Sequence, residues 1–465
     1  MSDPNKQVKR TRDLYQKAEK IYPRQVHGIF ARLRVLSVWA LLGFFYIGPW
    51  LTWNGRQAIL LDLPARQFHL FGITFWPQDF IFLTALLIIA ALALFFFTSL
   101  AGRLWCGFAC PQTVWTETFI WIERFVEGDR NQRIKLDKAP WSINKVFTKS
   151  TKHFLWLSFS LFTGYTFVGY FSPIKELTVH LIEWNLGPWE MFWVFFYSFA
   201  TYGNAGFLRE QVCLYMCPYA RFQSVMFDED TLVIAYDEKR GEQRGHRKKS
   251  DNEYREKGLG DCIDCKQCVH VCPTGIDIRK GLQYECIACA ACIDVCDDVM
   301  EKMGYEKGLI RYSTEHAMNG KETKILRPKT LLYGALLTGL MIAFSIALAF
   351  RTPLEVDIIR DRQRLYVETP EGLIQNVYTL KVANMAQSDH SYEISVDGLP
   401  DMKLTGEKAF SISPGEVKTL TYRVAVDPGD LKRTSSEIFF KVSSTDEKGI
   451  EQSQEARFIG PALGR

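Results

Sequence analysis

Eight of the twelve cysteines repeat one spacing, C-x2-C-x2-C-x3-C. The first copy comprises Cys262, Cys265, Cys268 and Cys272, and the second comprises Cys286, Cys289, Cys292 and Cys296. In such a loop three thiolates reach three corners of an iron-sulfur cube, and the fourth thiolate ligates the neighbouring cube. The spacing therefore predicts two [4Fe-4S] clusters, one held by Cys262, Cys265, Cys268 and Cys296 and the other by Cys286, Cys289, Cys292 and Cys272.

The cluster interpretation depends on four cysteines standing in a single run. Zinc sites more often pair two C-x2-C units, so two zinc knuckles are the alternative. The crossed fourth ligand is typical of bacterial two-cluster ferredoxins. Pro273 follows Cys272, whereas Asp297 follows Cys296 where a proline is usual. We expect this segment to carry electrons.

The other four cysteines form two copies of a second motif, C-x3-C-P. They are Cys106 and Cys110, followed by Pro111, and Cys213 and Cys217, followed by Pro218. A single pair could be two buried small residues. Two copies favour ligands, and four thiolates could hold a third iron-sulfur cluster, cycle between dithiol and disulfide, or bind a soft metal such as Cu(I). Cys106, Cys110, Cys213 and Cys217 are the candidate catalytic residues.

The motifs that the sequence lacks limit the cofactors that the chain is expected to bind. The chain has no phosphate loop and no G-x-G-x-x-G after a predicted strand, so the electrons are expected to come from a partner. His69, His153 and His180 lack the facing placement that a bis-histidine haem requires. Because every cysteine falls in a motif, the cysteine-bearing segments are expected to face a reducing compartment.

Five apolar stretches are long enough to cross a bilayer, which takes about 20 helical residues. They are residues 33–53, 80–100, 154–172, 191–208 and 331–350. The fourth is diluted by small and polar residues, and could instead be a helix packed inside a bundle. The first 32 residues are polar and basic, so we expect an uncleaved anchor rather than a signal peptide.

Lysine and arginine set the predicted orientation. They are concentrated before the first span and in residues 103–152, whereas the outer loops carry only Arg56, Arg66 and Lys175. The positive-inside rule then places the amino terminus in the cytoplasm and, after five crossings, the carboxyl terminus in the periplasm. Arginines 351, 360, 362 and 364 oppose this orientation, but whole domains are translocated despite such charge.

The predicted domains follow from these spans. They are a cytoplasmic segment 1–32, a four-span membrane domain 33–237, a charged linker 238–257, a cytoplasmic ferredoxin-like domain 258–329, a fifth span 330–351 and a periplasmic domain 352–465. Each pair of spans ends in a C-x3-C-P motif, which predicts a twofold repeat with both thiol pairs on the cytoplasmic face. The linker is interpreted as solvated, with a docking patch as the alternative.

Two further residue patterns predict secondary structure. Trp115, Phe119, Ile122 and Val126 form a stripe at helical spacing, either on an interfacial helix or on an ordinary packing face. From residue 357 onward apolar and polar residues alternate, and turn signals stand at 397–398, 413–415, 427–429 and 448–449. This alternation predicts a β-sandwich of immunoglobulin-like type that serves as a contact module.

The order of these parts resembles the CcoG family of cytochrome c oxidase accessory proteins, also called FixG or RdxA. The membrane half alone is also similar to the NapH and NosR type of membrane ferredoxin. The CcoG resemblance implies a cupric reductase that converts Cu(II) to Cu(I) for a cbb-type oxidase, with Cys106, Cys110, Cys213 and Cys217 handling copper as substrate or transient ligand. It also implies copper transporters, chaperones and oxidase subunits as partners.

The expected protein is thus a multi-domain, multi-pass protein of the bacterial inner membrane, with a five-span α-helical bundle. A cytoplasmic electron donor and membrane lipids are expected partners, nucleic acid is not, and a homodimer is left open. Two alternatives remain: an electron conduit to a quinol-linked or periplasmic reductase, and a non-redox assembly scaffold.

Overall fold

The computed structural model describes residues 20–251, 253–361, 364–447 and 449–461. Residues 1–19 of the predicted amino-terminal segment, Arg362 of the charge argument and Lys448 of one predicted turn lie outside these ranges. The chain divides into two compact units. Unit 1 contains the described residues up to Gly48, Ala91–Gly169 and Leu177–Ala335, with all twelve cysteines, and unit 2 contains Pro49–Ala90, Tyr170–Glu176 and the chain from Leu336 onward.

The helices account for most of unit 1. They are α1 (Ile29–Ile47), α2 (Phe80–Ala101), α3 (Leu104–Phe108), α4 (Pro111–Glu127), α5 (Arg130–Lys138), α6 (Ile143–Val168), α7 (Ile174–Ile182), α8 (Pro188–Thr201), α9 (Pro218–Met226), α10 (Glu238–Gly241), α11 (Gln267–His270), α12 (Ala291–Met303), α13 (Glu315–Met318) and α14 (Pro328–Ala349). Two π-helical segments, Tyr202–Leu208 and Val212–Met216, follow α8.

Among the residues that the structure describes, three helical stretches are long and apolar enough to cross a membrane, which indicates a membrane protein. They are Ile29–Trp50, Pro77–Ala101 and Pro328–Ala349, and they match the first, second and fifth predicted spans. The third prediction falls on α6, whose first turns carry Lys145, Lys149 and Lys152. The fourth falls on α8, which has 14 residues before the backbone becomes π-helical. The five-span count therefore stays a prediction.

The aromatic stripe of α4 is a packing face. Phe119 is fully buried against Trp156 of α6, with ring centroids 5.2 Å apart. The Trp156 indole N–H donates to the Phe119 carbonyl at 3.1 Å, so the polar edge of this buried ring has a partner. Trp115 and Ile122 pack against the same cluster. Of the two interpretations of the stripe, the structure favours helix packing.

A buried charge network joins α4, α5 and α6. The Glu123 side chain is fully buried. It accepts hydrogen bonds from Arg133 and from Arg209 at 3.0 Å, and it forms a longer ion pair with Lys152 at 3.8 Å. Burial alone raises the pKa of Glu123, but the surrounding Arg209, Arg133 and Lys152 charges outweigh it and lower that pKa on balance. The network is therefore a set of mutually dependent charges.

The start of α1 is fixed by a residue of α12. The backbone N–H groups of Phe30 and Ala31 donate to the Asp294 carboxylate at 3.2 and 2.7 Å, which complements the positive end of the helix dipole. A Cβ on Gly28 would lie 2.3 Å from Asp294 Oδ1, so this close approach requires glycine. The first candidate membrane helix thus begins on the cysteine-bearing segment.

The segment predicted as a charged linker is packed in part, although most of its described side chains are exposed. Arg240 Nε donates to Asp261 Oδ2 at 2.6 Å, and its guanidinium also reaches the carbonyls of residues 306 and 307. The Arg247 guanidinium lies 4.3 Å from the Tyr254 ring centroid and 5.2 Å from that of Tyr305. Charge density alone did not reveal these partners, because they lie up to 67 residues away in the chain.

The strands form small hairpins and one two-sheet sandwich. They are β1 (Thr52–Trp53), β2 (Arg56–Gln57), β3 (Ile59–Asp62), β4 (Gln67–Leu70), β5 (Ile73–Phe75), β6 (Val233–Tyr236), β7 (Ile310–Ser313), β8 (Leu354–Arg360), β9 (Val367–Glu368), β10 (Ile374–Asn384), β11 (His390–Asp397), β12 (Lys403–Thr405), β13 (Ala409–Ile412), β14 (Val417–Val426), β15 (Ser435–Ser444) and β16 (Glu451–Ile459).

The sandwich of unit 2 confirms the predicted β-rich domain. Its sheets have the strand orders β12-β14-β10-β8, with β9 beside β10, and β13-β11-β15-β16. Tyr378, Tyr392, Tyr422, Phe440 and Phe458 are fully buried in the core that the sheets share. The sequence pattern missed β16 because that edge strand is mostly polar and buries Phe458 alone.

We expect Glu123→Gln to destabilise unit 1 by roughly 3–5 kcal/mol, because it leaves buried cations without their counter-charge. Thermal unfolding in detergent would measure this loss. Since the Glu123 pKa is lowered in the folded chain, the wild-type contribution is present above the ordinary carboxyl pKa and disappears as the pH falls through the lowered value.

Glu301→Gln is the matched control for this measurement. Glu301 pairs with Lys307 at 2.8 Å on an exposed surface, so its loss should change the melting temperature little. Equal effects of the two substitutions would contradict the stabilising role of the buried network.

Candidate iron-sulfur and thiol centres

The two cysteine loops of unit 1 adopt the same backbone conformation. Asp264 and Lys266, on either side of Cys265, have φ of 50° and 55°, and Ala288 and Ala290, on either side of Cys289, have φ of 54° and 59°. Left-handed backbone at non-glycine residues costs about 1–2 kcal/mol each. Successive residues of this kind turn backbone N–H groups into a concave loop that receives anions. The repetition at equivalent positions indicates that both loops wrap around similar groups.

Backbone N–H groups in these loops point at thiols. The N–H of Gln267 bonds to Cys265, that of Ala288 to Cys286 and that of Ala291 to Cys289. Such bonds favour the thiolate form of a cysteine. Hydrogen bonds to sulfur are also among the factors that set the potential of an iron-sulfur cluster.

The eight thiols line two small cavities. One is lined by Cys262, Cys265, Cys268 and Cys296. The other is lined by Cys272, Cys286, Cys289 and Cys292, with Cys268 at its edge. The fourth thiol of each motif therefore lies with the first three thiols of the other motif. This geometry supports the crossed ligand sets that the spacing predicts.

Burial makes these thiols poor anions by themselves. It raises the pKa of Cys268 and of Cys286 to about 12, and burial with the charges of neighbouring thiols raises the pKa of Cys296 well above its usual range. Thiols bind metals as thiolates, so a bound cation must displace these protons. Each cavity offers cysteine thiols and no His, Asp or Glu among the residues that line it, and this ligand set fits a [4Fe-4S] cluster, which supplies one-electron storage when bound.

The four C-x3-C-P thiols also come together in unit 1. Cys106 lies in α3 and Cys110 precedes α4, while Cys213 lies in the second π-helical segment and Cys217 precedes α9. Burial and the nearby Cys110 thiol raise the pKa of Cys106 to about 11. Burial and the thiols of Cys110, Cys106 and Cys217 raise the pKa of Cys213 to about 12. The two copies of the motif are thus close enough for their charges to interact.

Single-ion geometry is a separate matter. Within the described ranges, no three His, Cys, Asp or Glu side chains converge closely enough to hold one metal ion. A cube spreads its four thiolates over separate corners, so this finding concerns sites for single ions such as zinc or copper.

Two polar residues at the thiols were not predicted as functional. Gln223 is fully buried, and its Oε1 accepts from the Cys106 thiol at 3.4 Å. Arg103 is 4% exposed and donates to the Ala220 carbonyl. The sequence marked Arg103 only as an orientation signal, because nothing in the chain pattern indicates that its charge is buried.

The Arg103 charge reaches both cysteine systems. Burial is the largest effect on the pKa of Cys106, Cys213 and Cys286 and raises all three, while the positive charge of Arg103 opposes each rise. A cation in this position stabilises thiolates and any added electron near them. Arg103 therefore acts electrostatically on both the C-x3-C-P set and the second cavity.

Glycine brings the two systems into contact. A Cβ on Gly107, within the first C-x3-C-P motif, would lie 2.7 Å from the Ile287 carbonyl oxygen and 2.9 Å from the Ala288 carbonyl oxygen. These two residues belong to the loop that carries Cys286 and Cys289. The C-x3-C-P set thus adjoins the second cavity through backbone contact.

Gln112 connects the two copies of the C-x3-C-P motif. Its side-chain amide, just after Pro111, donates to the carbonyls of Asn204 at 2.9 Å and Arg209 at 3.1 Å. Arg209 has φ of 45° and its guanidinium is held by Glu123 at 3.0 Å. The buried charge network therefore fixes the strained turn that leads to Cys213.

Family profiles match three parts of the chain. A profile described as a 4Fe-4S dicluster domain matches residues 208–315, and one described as a 4Fe-4S binding domain matches residues 82–128. A third, the IG-like fold at the C-terminal of FixG, matches residues 344–461. Together the first two contain all twelve cysteines, so iron-sulfur chemistry has support that is independent of the cavities.

Three proteins resemble the chain over most of its length. RdxB of Cereibacter sphaeroides is 42% identical over 445 residues, covering 92% of each chain. RdxA of the same organism is 41% identical over 399 residues, covering 83% of this chain and 84% of RdxA. The nitrogen fixation protein FixG of Rhizobium meliloti is 36% identical over 462 residues, covering 90% of this chain and 88% of FixG.

We expect Gly107→Val to slow electron transfer between the two cysteine systems while leaving iron content unchanged, because the new side chain must displace the Ile287–Ala288 backbone. Stopped-flow absorbance of the pre-reduced protein mixed with Cu(II) would measure the rate. Gly203→Val is the matched control, since a Cβ there meets no atom within 4 Å. Equal rates in both variants would contradict the contact.

We expect Arg103→Met to lower the midpoint potential of the cluster nearest Cys286, because removing a buried cation destabilises the added electron. An EPR-monitored redox titration would measure the shift. Arg103→Lys keeps the charge and should retain most of the wild-type potential. An unchanged potential in Arg103→Met would rule out the electrostatic role.

Proposed function

Because the chain belongs to the FixG/RdxA family, whose members carry iron-sulfur domains, we propose that it is a membrane-bound oxidoreductase that reduces Cu(II) to Cu(I). The copper would serve the assembly of a cbb-type cytochrome c oxidase, as the resemblance to CcoG implies. Each Cu(II) takes one electron, and no bond of the protein is broken.

The single observation that carries this proposal is the assembly of four thiols beside the second cavity. Cys106, Cys110, Cys213 and Cys217 interact electrostatically with one another, and Gly107 lies against the loop of Cys286 and Cys289. Soft thiolate ligands favour Cu(I) over Cu(II) and so raise the reduction potential of bound copper. Because no three of the described thiols converge on one point, these residues are proposed to bind the substrate ion through two thiolates at a time and to favour its reduced state.

Eight cysteines are proposed to hold the two [4Fe-4S] clusters. Cys262, Cys265, Cys268 and Cys296 form one set, and Cys272, Cys286, Cys289 and Cys292 form the other. The clusters supply electron storage when bound. The second set is the one whose loop contacts Gly107, so it is proposed to be the set nearer the copper site.

The proposed location is the bacterial inner membrane, with the cysteines on the cytoplasmic side. Three spans or five spans place the two chain ends on opposite sides, because both numbers are odd. The division of the chain supports this arrangement: unit 1 gathers all twelve cysteines, while unit 2 gathers the first outer loop and the carboxyl-terminal sandwich. Copper transporters, chaperones and oxidase subunits are the proposed partners.

A third cluster at the C-x3-C-P thiols is the main alternative use of those residues. It is favoured by the 4Fe-4S binding profile over residues 82–128, which includes Cys106 and Cys110. In that case the protein would act as an electron conduit of the NapH or NosR type, to a quinol-linked or periplasmic reductase. Iron analysis separates the cases, since two clusters contain about eight irons and three contain about twelve.

We expect Cys106→Ala and Cys213→Ala each to abolish Cu(II) reduction while the iron content and the ferredoxin-type EPR signal persist. The protein would first be reduced with dithionite and freed of excess dithionite by gel filtration, and Cu(II) reduction would then be followed with a Cu(I) chelator as reporter. Met216→Ala is the matched control, because Met216 lies beside Cys217 but is 60% exposed. Wild-type activity in both cysteine variants would refute the copper role.

A variant that lacks one predicted cluster ligand tests the alternative that the protein is a non-redox scaffold. Cys265→Ala should remove one cluster and with it oxidase maturation in cells, because electrons no longer reach copper. Normal maturation in that variant would favour a scaffold that binds copper or oxidase subunits without electron transfer.

A further inference from the structure

A cavity of about 570 Å³ lies among the described residues of unit 1, and the metal proposals assign no organic ligand to it. Its walls come from the start of α1, from one face of α4 and from the loop that follows Cys272. Its volume is within the range of small-molecule sites, about 300–1,000 Å³. It therefore has room for an organic ligand beside the proposed redox centres.

The cavity lies next to thiols of both cysteine systems. Cys213 of the second C-x3-C-P motif and Cys289 of the second ferredoxin-type motif line the same space. Gln112 and Thr113, which follow the first C-x3-C-P motif, are part of the wall. An occupant would contact residues of both centres, which is the position of an electron donor or acceptor.

The apolar part of the wall belongs to a helix that is able to cross a membrane. Val35, Leu36 and Trp39 of α1 line the cavity, and α1 lies within the candidate span Ile29–Trp50. Trp121 of α4 adds a second indole ring. A ligand dissolved in the bilayer would reach this space along α1, and flat aromatic walls suit a planar ring.

Three arginines of the wall already donate to groups of the protein, which favours a neutral ligand over an anionic lipid headgroup. Arg34 donates to the Cys289 carbonyl, Arg209 to Glu123 at 3.0 Å, and Arg24 to Gln267 at 2.6 Å. Glu117, another wall residue, accepts from the Trp121 indole N–H at 3.0 Å. What the wall presents is a set of hydrogen-bonding groups around an apolar space, which fits neutral carbonyl or hydroxyl oxygens.

We propose that this cavity binds a membrane quinone, and that its quinol form is the electron donor of the protein. This inference rests on the proposed function and deepens it by naming the class of donor. One quinol loses two electrons and two protons as its two hydroxyl groups become carbonyls, and two Cu(II) ions each gain one electron. Glu117 and Glu210 are the wall carboxylates placed to accept the two protons.

Binding is tested on the full-length protein in phosphatidylcholine vesicles, with an azido-substituted short-chain benzoquinone as photoaffinity probe. We expect saturable labelling of peptides from α1 and α4. Val35→Trp should fill the cavity and reduce labelling at least about tenfold. Leu33→Trp is the matched control, because Leu33 is equally exposed on α1 but does not line the cavity, and its labelling should stay within about twofold of the wild type.

Electron delivery is tested on the same variants with a short-chain quinol as the only donor. Wild-type protein and Leu33→Trp should form two Cu(I) per quinol, whereas Val35→Trp should fail with quinol yet retain dithionite-driven copper reduction. Labelling that is unsaturable, that is equal in the two variants, or that is displaced by cardiolipin with no quinol-driven reduction would overturn the proposal. Loss of dithionite-driven reduction in wild-type protein would instead refute the copper function.

Discussion

The crossing of two thiols between neighbouring loops is the constraint on which the cysteine-bearing unit depends. Cys272 follows the first motif along the chain but lies in the second cavity, and Cys296 follows the second motif but lies in the first. Neither loop can hold four thiols by itself. The two cavities therefore form only when the loops are folded together, and the pairing of β6 with β7 closes the ring of chain around them.

Close backbone packing extends this centre towards the C-x3-C-P motifs. Gly107 allows α3 to approach the loop of Ile287 and Ala288, and Arg103 places a buried charge beside thiols of both systems. Gln112 and the Glu123 network then fix the strained turn before Cys213. Short contacts of this kind allow redox groups to be held close together without a large domain of their own.

The sequence predicted the cysteine ligands better than it predicted the helices that position them. Cysteine spacing is a local property of the chain, so both ferredoxin-type motifs and their crossed pairing could be inferred from the sequence alone. The alternation of apolar and polar residues in the carboxyl-terminal strands was equally informative, because each strand of a sandwich buries every second residue. The third and fourth spans were harder, since α6 carries lysines in its first turns and α8 gives way to π-helix.

The residues that sequence reasoning missed act across long separations in the chain. Gln223 contacts Cys106, which is 117 residues away in the chain. The side chains of Arg240 and Arg247, in the predicted linker, pack on the cysteine-bearing segment. The left-handed backbone of residues such as Ala288 and Ala290 cannot be recognised from residue type, because alanine does not favour that conformation. Only the fold shows that these residues surround the thiols.

The contact between Asp294 and the start of α1 has a consequence for biogenesis. The ribosome delivers α1 to the membrane about 260 residues before the carboxylate that receives its first N–H groups, since Phe30 and Asp294 are 264 positions apart. Asp294 itself stands between Cys292 and Cys296. The start of α1 can therefore form its final hydrogen bonds only after Asp294 has been synthesised.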